Sequence, residues 1–343
     1  MKKFNEIFID KTKYGEKIQT SEYEKQGKHI IVDQGQAEIA GYTNREEGLF
    51  KEVPVIIFGD HTRVIKYIDE PFFLGADGVK VLRCKEKNAN YKYLYYALKS
   101  AKIPNTGYNR HFKWLKDVEI NYPDSVKQEI IVDILDRVSN VIEKRKAELC
   151  SLDDLIKARF VEMFGDPIIN SKGLETKELN EVLVLKAGDF TAASDISVEP
   201  TEINIYPCYG GNGIRGYVAE YNQEGEYSLV GRQGALSGNV QYATGKFKNT
   251  EHALLVKPII RMNSIWLNQL LLNLDLKRYQ TGAAQPGLSV KNLQDIQIIM
   301  VPIDEQRQFA AFVNEIDKSK SAVKKALDET QLLFDSLMQE YFG

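Results

Sequence analysis

The sequence predicts an α+β fold that is built twice, as two repeated α+β domains, each followed by one long helix. The 343-residue chain has 43% hydrophobic and 27% charged residues, as expected for a globular protein of two or three domains. Its second half repeats the pattern of its first half. Each half ends in a heptad pattern that stops at a Phe-Gly pair, Phe164-Gly165 and Phe342-Gly343.

The internal repeat is clearest along the two heptad segments. Residues that match there without a gap include Gln128 with Gln306, Lys146 with Lys324, Leu149 with Leu327, Leu155 with Leu333 and Gly165 with Gly343. Further upstream, Gly41-Tyr42 matches Gly216-Tyr217. The repeated unit is far longer than a solenoid repeat, so the chain consists of two copies of one domain-sized unit.

The heptad segments predict two long helices that pack on each other. Apolar residues recur there at alternate spacings of three and four, with no proline and no internal glycine. The residues that we expect to pair the helices are Ile131, Leu135, Val138, Ile142, Leu149, Leu152 and Ile156 in the first segment and Phe309, Val313, Ile316, Val323, Leu327, Phe334 and Leu337 in the second. The alternative is that each helix lies on its own globular domain.

Before each heptad segment, the sequence predicts short strands separated by glycines and then a short helix. The expected strands are residues 29–32, 53–58, 64–67 and 79–82 in the first copy and 203–206, 227–230, 240–243 and 253–256 in the second. The expected short helices are residues 91–99 and 264–274. Because strands precede helices in each copy, the fold class is α+β.

Composition excludes several classes of function. The longest apolar stretches are far below the roughly 18 residues that a membrane helix needs, and no apolar leader is present, so we expect a cytoplasmic protein with no membrane association. The three cysteines are widely spaced, so we expect no disulfide framework. With only four histidines in the chain, we expect neither a metal site nor catalytic residues. The formal net charge of −3, with a basic excess only in residues 1–125, does not favour firm DNA binding by the chain alone.

One segment has the form of an enzyme motif. Residues Gly211, Gly213 and Gly216 match GxGxxG, which binds a dinucleotide when it follows a strand and opens a helix. Here the motif leads into the strand-like residues 217–221, so we expect the glycines to form turns. An enzyme that binds a nucleotide at this turn remains the alternative.

Polar and aromatic side chains recur on glycine-rich loops in both copies, and residues 33–42, 59–63 and 106–113 of the first copy match residues 209–217, 231–234 and 281–291 of the second. Gln, Asn and Arg are the side chains that read base edges in the major groove of DNA. The candidate DNA-binding residues are Gln34, Gln36, Tyr42, His61, Arg63, Asn109, Arg110 and Lys113 in the first copy and Tyr209, Asn212, Arg215, Arg232, Gln233, Gln285, Ser289 and Lys291 in the second. A carbohydrate-binding or peptide-binding protein would show a similar composition.

Taken together, the chain resembles the specificity subunits of type I restriction and modification systems, over essentially its whole length. The motifs that carry the resemblance are Gly35-Gln-Ala-Glu-Ile-Ala-Gly-Tyr42, Gly75-Ala-Asp-Gly78, Tyr209-Gly-Gly-Asn-Gly-Ile-Arg-Gly-Tyr217 and the helix starts at Gln128 and Gln306. The proline-rich helix entry of the family is reduced to Pro123 and Pro302.

The resemblance implies four segments: a target-recognition domain at 1–125, a conserved spacer helix at 126–170, a second target-recognition domain at 171–303 and a second conserved helix at 304–343. It implies that the helices pair as an antiparallel coiled coil and that a pseudo-twofold axis relates the two copies.

The resemblance further implies a non-catalytic subunit that recognises a bipartite site in double-stranded DNA, one half-site per domain. Two methyltransferase subunits and motor-nuclease subunits are the implied partners. S-adenosylmethionine, ATP and Mg are expected on those partners, and no cofactor is expected on this chain. The remaining alternative is a coiled-coil scaffold without a role on DNA.

Overall fold

The computed structural model describes residues 1–75, 77–282 and 286–343. They form two compact units. Unit 1 comprises Met1–Lys146 and Lys325–Gly343, and unit 2 comprises Ala147–Lys324. Each long helix contributes one segment to unit 1 and another segment to unit 2. The core of each unit therefore contains parts of both helices.

Unit 1 consists of three small sheets with short helices. Its strands are β1 (Lys2–Lys3), β2 (Phe8–Asp10), β3 (His29–Val32), β4 (Gly41–Thr43), β5 (Val55–Gly59), β6 (Ile65–Ile68), β7 (Phe72–Leu74), β8 (Val79–Cys84) and β9 (Glu119–Ile120). Its helices are α1 (Phe4–Ile7), α2 (Tyr91–Lys99), α3 (Phe112–Leu115) and the first part of α4 (Ser125–Phe164). The sheet orders are β2-β8-β5-β6 and β4-β3-β7, and β1 pairs with β9.

Unit 2 repeats this plan with longer strands. Its strands are β10 (Thr176–Glu178), β11 (Leu183–Ala187), β12 (Tyr206–Gly210), β13 (Gly213–Val218), β14 (Gln223–Gly231), β15 (Val240–Asn249), β16 (Ala253–Pro258) and β17 (Gln297–Ile299). Its helices are α5 (Leu179–Val182), α6 (Ser264–Asn273), α7 (Val290–Leu293) and the first part of α8 (Ile303–Phe342). Its main sheet has the order β11-β16-β14-β15-β12-β13, and β10 pairs with β17.

The strand orders confirm the internal repeat. The order β2-β8-β5-β6 in unit 1 corresponds strand by strand to β11-β16-β14-β15 in unit 2. The pairs β1 with β9 and β10 with β17 also correspond, and both pairs are antiparallel. The predicted α+β fold with two repeated domains and two long helices is therefore confirmed.

The start of each long helix is held by a buried glutamine. The Gln128 amide donates to the Pro123 carbonyl at 2.8 Å, and the Gln306 amide donates to the Val301 carbonyl at 2.9 Å. Gln306 also accepts a hydrogen bond from the Asn263 backbone N–H at 2.8 Å. Because a buried amide must find partners, each glutamine joins the helix start to the chain that enters it.

In unit 1, the beginning of α4 packs antiparallel against the end of α8. Asn121, just before α4, donates to the Tyr341 carbonyl at 3.4 Å, whereas Arg145 donates to the Ala326 carbonyl and to the Thr330 hydroxyl further back along α8. The apolar residues of the two helices that share one hydrophobic cluster here are Ile131, Leu135, Val138, Ile142, Leu327, Phe334 and Leu337.

In unit 2, the end of α4 packs antiparallel against the beginning of α8. The ring of Phe309 lies edge-on to Phe160 and Phe164, with centroids 5.5 and 5.6 Å apart. Lys320 pairs with Asp153 at 2.6 Å. Ile156, Val313 and Ile316 pack in the same cluster. The other expected pairing residues, Leu149, Leu152 and Val323, are half-buried.

Several predicted strand boundaries were wrong. Residues 203–205 are not a strand, because Thr201 and Asn204 close a turn in which the Asn204 N–H donates to the Thr201 hydroxyl at 2.9 Å. The strand-like run at 217–221 ends at Val218. β5 begins at Val55 rather than at residue 53, and β6 at Ile65 rather than at residue 64.

Among the described helices, none has the sustained apolar length that crossing a bilayer requires.

The helix contact in unit 1 is testable with adjacent residues. Ile142 is 5% exposed and Val141 is 39% exposed. We expect Ile142→Asp to lower the free energy of unfolding by at least about 2 kcal/mol, because it deletes a buried side chain and places a charge in the seam. Val141→Asp, the matched control, should change it by no more than about 0.5 kcal/mol. Urea denaturation followed by helical circular dichroism measures both, and equal effects would contradict the pairing.

Candidate nucleic-acid interface

In unit 2, three loops meet where the central strand β14 ends. Gly231 lies opposite Ala253 in the strand register, and the next residue, Arg232, donates its N–H to the His252 carbonyl at 3.1 Å. The Arg232 carbonyl accepts the Leu288 N–H at 2.8 Å. A β-carbon on Gly231 would lie 2.1 Å from the Gly211 carbonyl oxygen, so the β12–β13 turn touches the same point.

Unit 1 builds the same junction at the end of β5. Gly59 lies opposite Val79, and Asp60 donates its N–H to the Gly78 carbonyl at 2.6 Å. The Asp60 carbonyl accepts the His111 N–H at 2.8 Å. The backbone bonds of Asp60 therefore match those of Arg232 in unit 2. The loops that the sequence comparison paired are thus paired in the structure as well.

The third loop of the unit 1 junction is joined through Gln34. Its amide donates to the Asp77 carbonyl at 2.8 Å, its side-chain oxygen accepts the His61 N–H at 3.1 Å, and its backbone carbonyl accepts the Thr62 hydroxyl at 2.6 Å. Both ends of the Gln34 amide are therefore used inside the protein. The geometry makes Gln34 a tie between loops, and a base edge would have to displace these bonds.

Asp60 and His111, which were not among the predicted site residues, hold the 105–112 loop. The Asp60 carboxylate accepts the Phe112 N–H at 2.8 Å, and His111 Nδ1 lies 3.0 Å from the Asp60 carbonyl. Both side chains are buried. No local pattern marks them, because their partners are about fifty residues apart in the sequence.

An exposed aromatic stack lies at the unit 1 junction. His61 stacks on Tyr108 with ring centroids 4.7 Å apart and planes 9° apart, and Tyr108 is 88% exposed. Exposed rings of this kind can stack on nucleic-acid bases. Tyr108 was not predicted, although its position within the loop 106–113 marks it as an aromatic residue between polar ones.

The other predicted residues of unit 1 have mixed environments. Arg63 has φ +62° and donates to the Ile103 carbonyl at 3.2 Å. Tyr42 is half-buried against a hydrophobic cluster, and Asn109 donates to the Thr106 carbonyl within its own loop. The exposed members of the set are Gln36, Asn109, Arg110 and Lys113.

Two of the predicted residues of unit 2 have structural contacts. Tyr209 packs its ring against Phe247 at 5.4 Å between centroids, and burial raises the pKa of its hydroxyl. Ser289 caps α7 by accepting the Asn292 N–H at 3.2 Å. Lys291 is exposed on α7, and Gln285 lies outside the described residues.

The remaining predicted residues border one open cleft of about 300 Å³. It is lined by Gly211, Asn212, Arg215, Gln233, Leu236 and His252. Arg232, which joins the loops through its backbone, is half-buried beside them. The structure thus brings Asn212, Arg215 and Gln233 together from two loops and a strand.

The glycine motif of unit 2 forms a hairpin. Strand β12 ends at Gly210 and β13 begins at Gly213, so Gly211 and Asn212 form the turn and no helix follows. The predicted turn is confirmed, and the strand-to-helix geometry of a dinucleotide fingerprint is not present at this segment.

Across residues 1–75, 77–282 and 286–343, no group of three or more His, Cys, Asp or Glu side chains is arranged to hold a metal ion.

The role of Gln34 as a tie is testable against its neighbour Gln36, which is exposed. Gln34→Ala removes the acceptor of the His61 N–H, so we expect faster hydrogen exchange at residues 59–63, with the local opening free energy lowered by about 1–2 kcal/mol. Gln36→Ala should leave exchange in this loop unchanged. Exchange that is slow in both variants would show that the loop is held by other contacts.

Comparison with known proteins identifies relatives for the whole arrangement. The family model "Type I restriction modification DNA specificity domain" matches residues 1–150 and 171–330. The type I restriction enzyme EcoprrI specificity subunit of Escherichia coli is 37% identical over 200 residues, which are 57% of this chain and 50% of that protein. The chain therefore aligns with only about half the length of that relative.

A putative type I specificity subunit of Mycoplasma genitalium, S.MgeORF438P, is 23% identical over 356 residues, covering 96% of this chain and 90% of that protein. The crystal structure of a type I system S subunit from M. genitalium covers 100% of this chain and 95% of its own, with a TM-score of 0.61 and 20% identity. At that identity the likeness supports the fold alone. Because the family model matches both units, this chain belongs to the type I restriction modification DNA specificity family.

Proposed function

We propose that this chain is the DNA specificity subunit of a type I restriction and modification complex, with unit 1 reading one half of a bipartite target and unit 2 the other. One observation supports the proposal above the others. The same three-loop junction occurs at the end of β5 and of β14, with matching backbone hydrogen bonds and different side chains. A repeated framework with different polar side chains suits two readers of different half-sites.

The chemistry of the loops fits base recognition. Side-chain amides and guanidinium groups form hydrogen bonds with base edges in the major groove, and Asn212, Arg215 and Gln233 are such groups. The exposed stack of His61 and Tyr108 offers an additional aromatic face in unit 1. Candidate base or backbone contacts in unit 1 are therefore Gln36, His61, Arg110 and Lys113.

The charge of the chain implies that its partners share the contact with DNA. A net charge of −3 provides few surplus cations to displace phosphate counterions. We propose that two methyltransferase subunits dock on this chain and supply much of the phosphate contact, and that motor-nuclease subunits join them. In this proposal the chain itself is non-catalytic, and S-adenosylmethionine, ATP and Mg bind to the partner subunits.

The division of labour between the units is testable by exchange. Replacing residues 171–303 with those of a relative should change one half of the methylated site and leave the other half unchanged, because each unit has its own loops. The reciprocal exchange of residues 1–125 is the control and should change the other half. Sequencing that maps methylated adenines, with the cognate methyltransferase present, measures both.

Two outcomes would contradict this division. A change in both half-sites after one exchange would show that the units read DNA jointly. Methylation with no sequence dependence would favour a scaffold without a reading role.

The unit 2 loop is testable with a matched pair of double variants. Arg232→Ala with Gln233→Ala should relax recognition of one half-site, because each base-specific contact contributes about 1–3 kcal/mol of discrimination. The control is Arg307→Ala with Gln308→Ala, the same dipeptide in an exposed position on α8, which should leave the methylated sequence unchanged. Both complexes should still contain the methyltransferase. An unchanged motif in the first variant would exclude this loop as a reader.

A further inference from the structure

The cleft of unit 2 presents its polar side chains in one orientation. Two of them are amides, Asn212 and Gln233, and each has its carbonyl oxygen occupied by a neighbour. Asn239 donates from its amide nitrogen to Asn212 Oδ1, and His252 Nδ1 lies 2.7 Å from Gln233 Oε1. Because an amide oxygen can only accept, His252 Nδ1 is the donor in this contact.

Among the described residues neither amide NH₂ group has a hydrogen-bond partner, so both remain available to a ligand in the cleft. The His252 ring lies between Gln233 and Glu251, with Nε2 3.1 Å from Glu251 Oε1, and a ring that carries a proton on each nitrogen donates to both neighbours. The ring therefore has little freedom to turn and release the Gln233 oxygen. Asn239 and His252 set the direction of the two amides without needing to touch a ligand.

The third polar side chain, Arg215, is a donor in every state, because a guanidinium has no acceptor atom. Its stem lies across Gly210, where an added β-carbon would meet Arg215 Cδ at 2.4 Å. Arg215 thereby reaches the cleft from β13, beside Asn212 and Gln233. These three side chains offer amide and guanidinium donors, while one lone pair of each amide oxygen is already held by a neighbour.

A site that presents mainly donors favours a ligand edge with acceptors alone. In the major groove guanine presents two adjacent acceptors, N7 and O6, whereas adenine presents the acceptor N7 beside the donor N6. A glutamine or asparagine normally reads adenine by using both its oxygen and its nitrogen, and that mode is disfavoured when a neighbour already holds one lone pair of the oxygen. We infer that this cleft reads guanine in the half-site of unit 2, with His252 and Asn239 as positioning residues.

This inference rests on the proposed function, because it presumes that unit 2 reads a half-site. Phosphate oxygens are also acceptors, so a donor-rich cleft would bind them too. The open shape of the cleft and its two orientated amides favour a base edge, since a phosphate needs no fixed order of donors and acceptors. The experiment below separates the two sources.

The test uses the chain assembled with its cognate methyltransferase and synthetic duplexes that carry its methylated site. Replacing one half-site guanine by 7-deazaguanine, which lacks the N7 acceptor, should slow methylation by roughly 5- to 150-fold at one position. His252→Ala should reduce the preference for guanine over adenine at that same position by a similar factor, because the freed Gln233 oxygen can accept from adenine N6. Methylation of the adenine-substituted site should rise relative to the native site.

Two further variants keep the result interpretable. Gln233→Glu preserves the shape and replaces the donor by acceptors, so it should abolish the guanine preference even if His252→Ala disturbs the loop. His29→Ala is the matched control, since His29 pairs with Glu46 at 3.3 Å in unit 1 much as His252 pairs with Glu251. It should leave the unit 2 half-site unchanged.

Three outcomes would overturn the inference. The first is a unit 2 half-site that contains no guanine, and the second is no effect of 7-deazaguanine at any position in it. The third is equal weakening of the methylation of all sequences by His252→Ala and Gln233→Glu, with a reduced salt dependence, which would identify a phosphate contact. Failure of the proposed function is a separate result: exchange of residues 171–303 would then leave both half-sites as they were.

Discussion

In each unit the loops that we propose to read DNA depend on a glycine that ends the central strand. A β-carbon on Gly231 would fall 2.1 Å from the Gly211 carbonyl oxygen, and one on Gly59 would fall 3.0 Å from Gln34 Cβ and 3.3 Å from the Gln34 carbonyl oxygen. Glycine lets a third loop reach the strand end, where the next residue already bonds to two other loops. The hydrogen bonds that the two junctions share are backbone bonds, so the side chains of Asp60 and Arg232 can differ without a change of this shared framework.

Local patterns in the sequence predicted the positions of the helices and strands well, because each type of element has its own spacing of apolar residues. The heptads located α4 and α8, and the glycine-bounded apolar runs located β5, β8, β14 and β16. The resemblance between residues 59–63 and 231–234 also predicted a shared position in the fold, which the strand registers bear out. Errors occurred at strand ends, where a turn bond such as that of Asn204 to Thr201 overrides the apolar pattern.

The candidate site was only partly predictable, because hydrogen-bond partners of loop side chains are distant in sequence. Composition identified Gln34 and Gln233 equally as amides on glycine-rich loops. The structure separates them. Both ends of the Gln34 amide are used by Asp77 and His61, whereas among the described residues only the oxygen of the Gln233 amide has a partner, His252. Tyr209 is likewise an aromatic of the core rather than of the surface, since Phe247 lies against it. Which atoms remain available depends on tertiary neighbours that no local pattern encodes.

The hydrogen bonds of Arg145 to the Ala326 carbonyl and the Thr330 hydroxyl determine the register in which the two long helices align. An entirely apolar seam would tolerate a slip of one helix by a whole heptad, about 10 Å, since knobs would meet equivalent holes. A guanidinium inside the seam does not, because a slipped helix would leave it without those acceptors. Since each helix supplies side chains to the cores of both units, such a slip would withdraw Phe309 from one core and Phe334 from the other. Arg145 therefore fixes the register of the two helices, and folds in which one helix is shifted along the other are excluded.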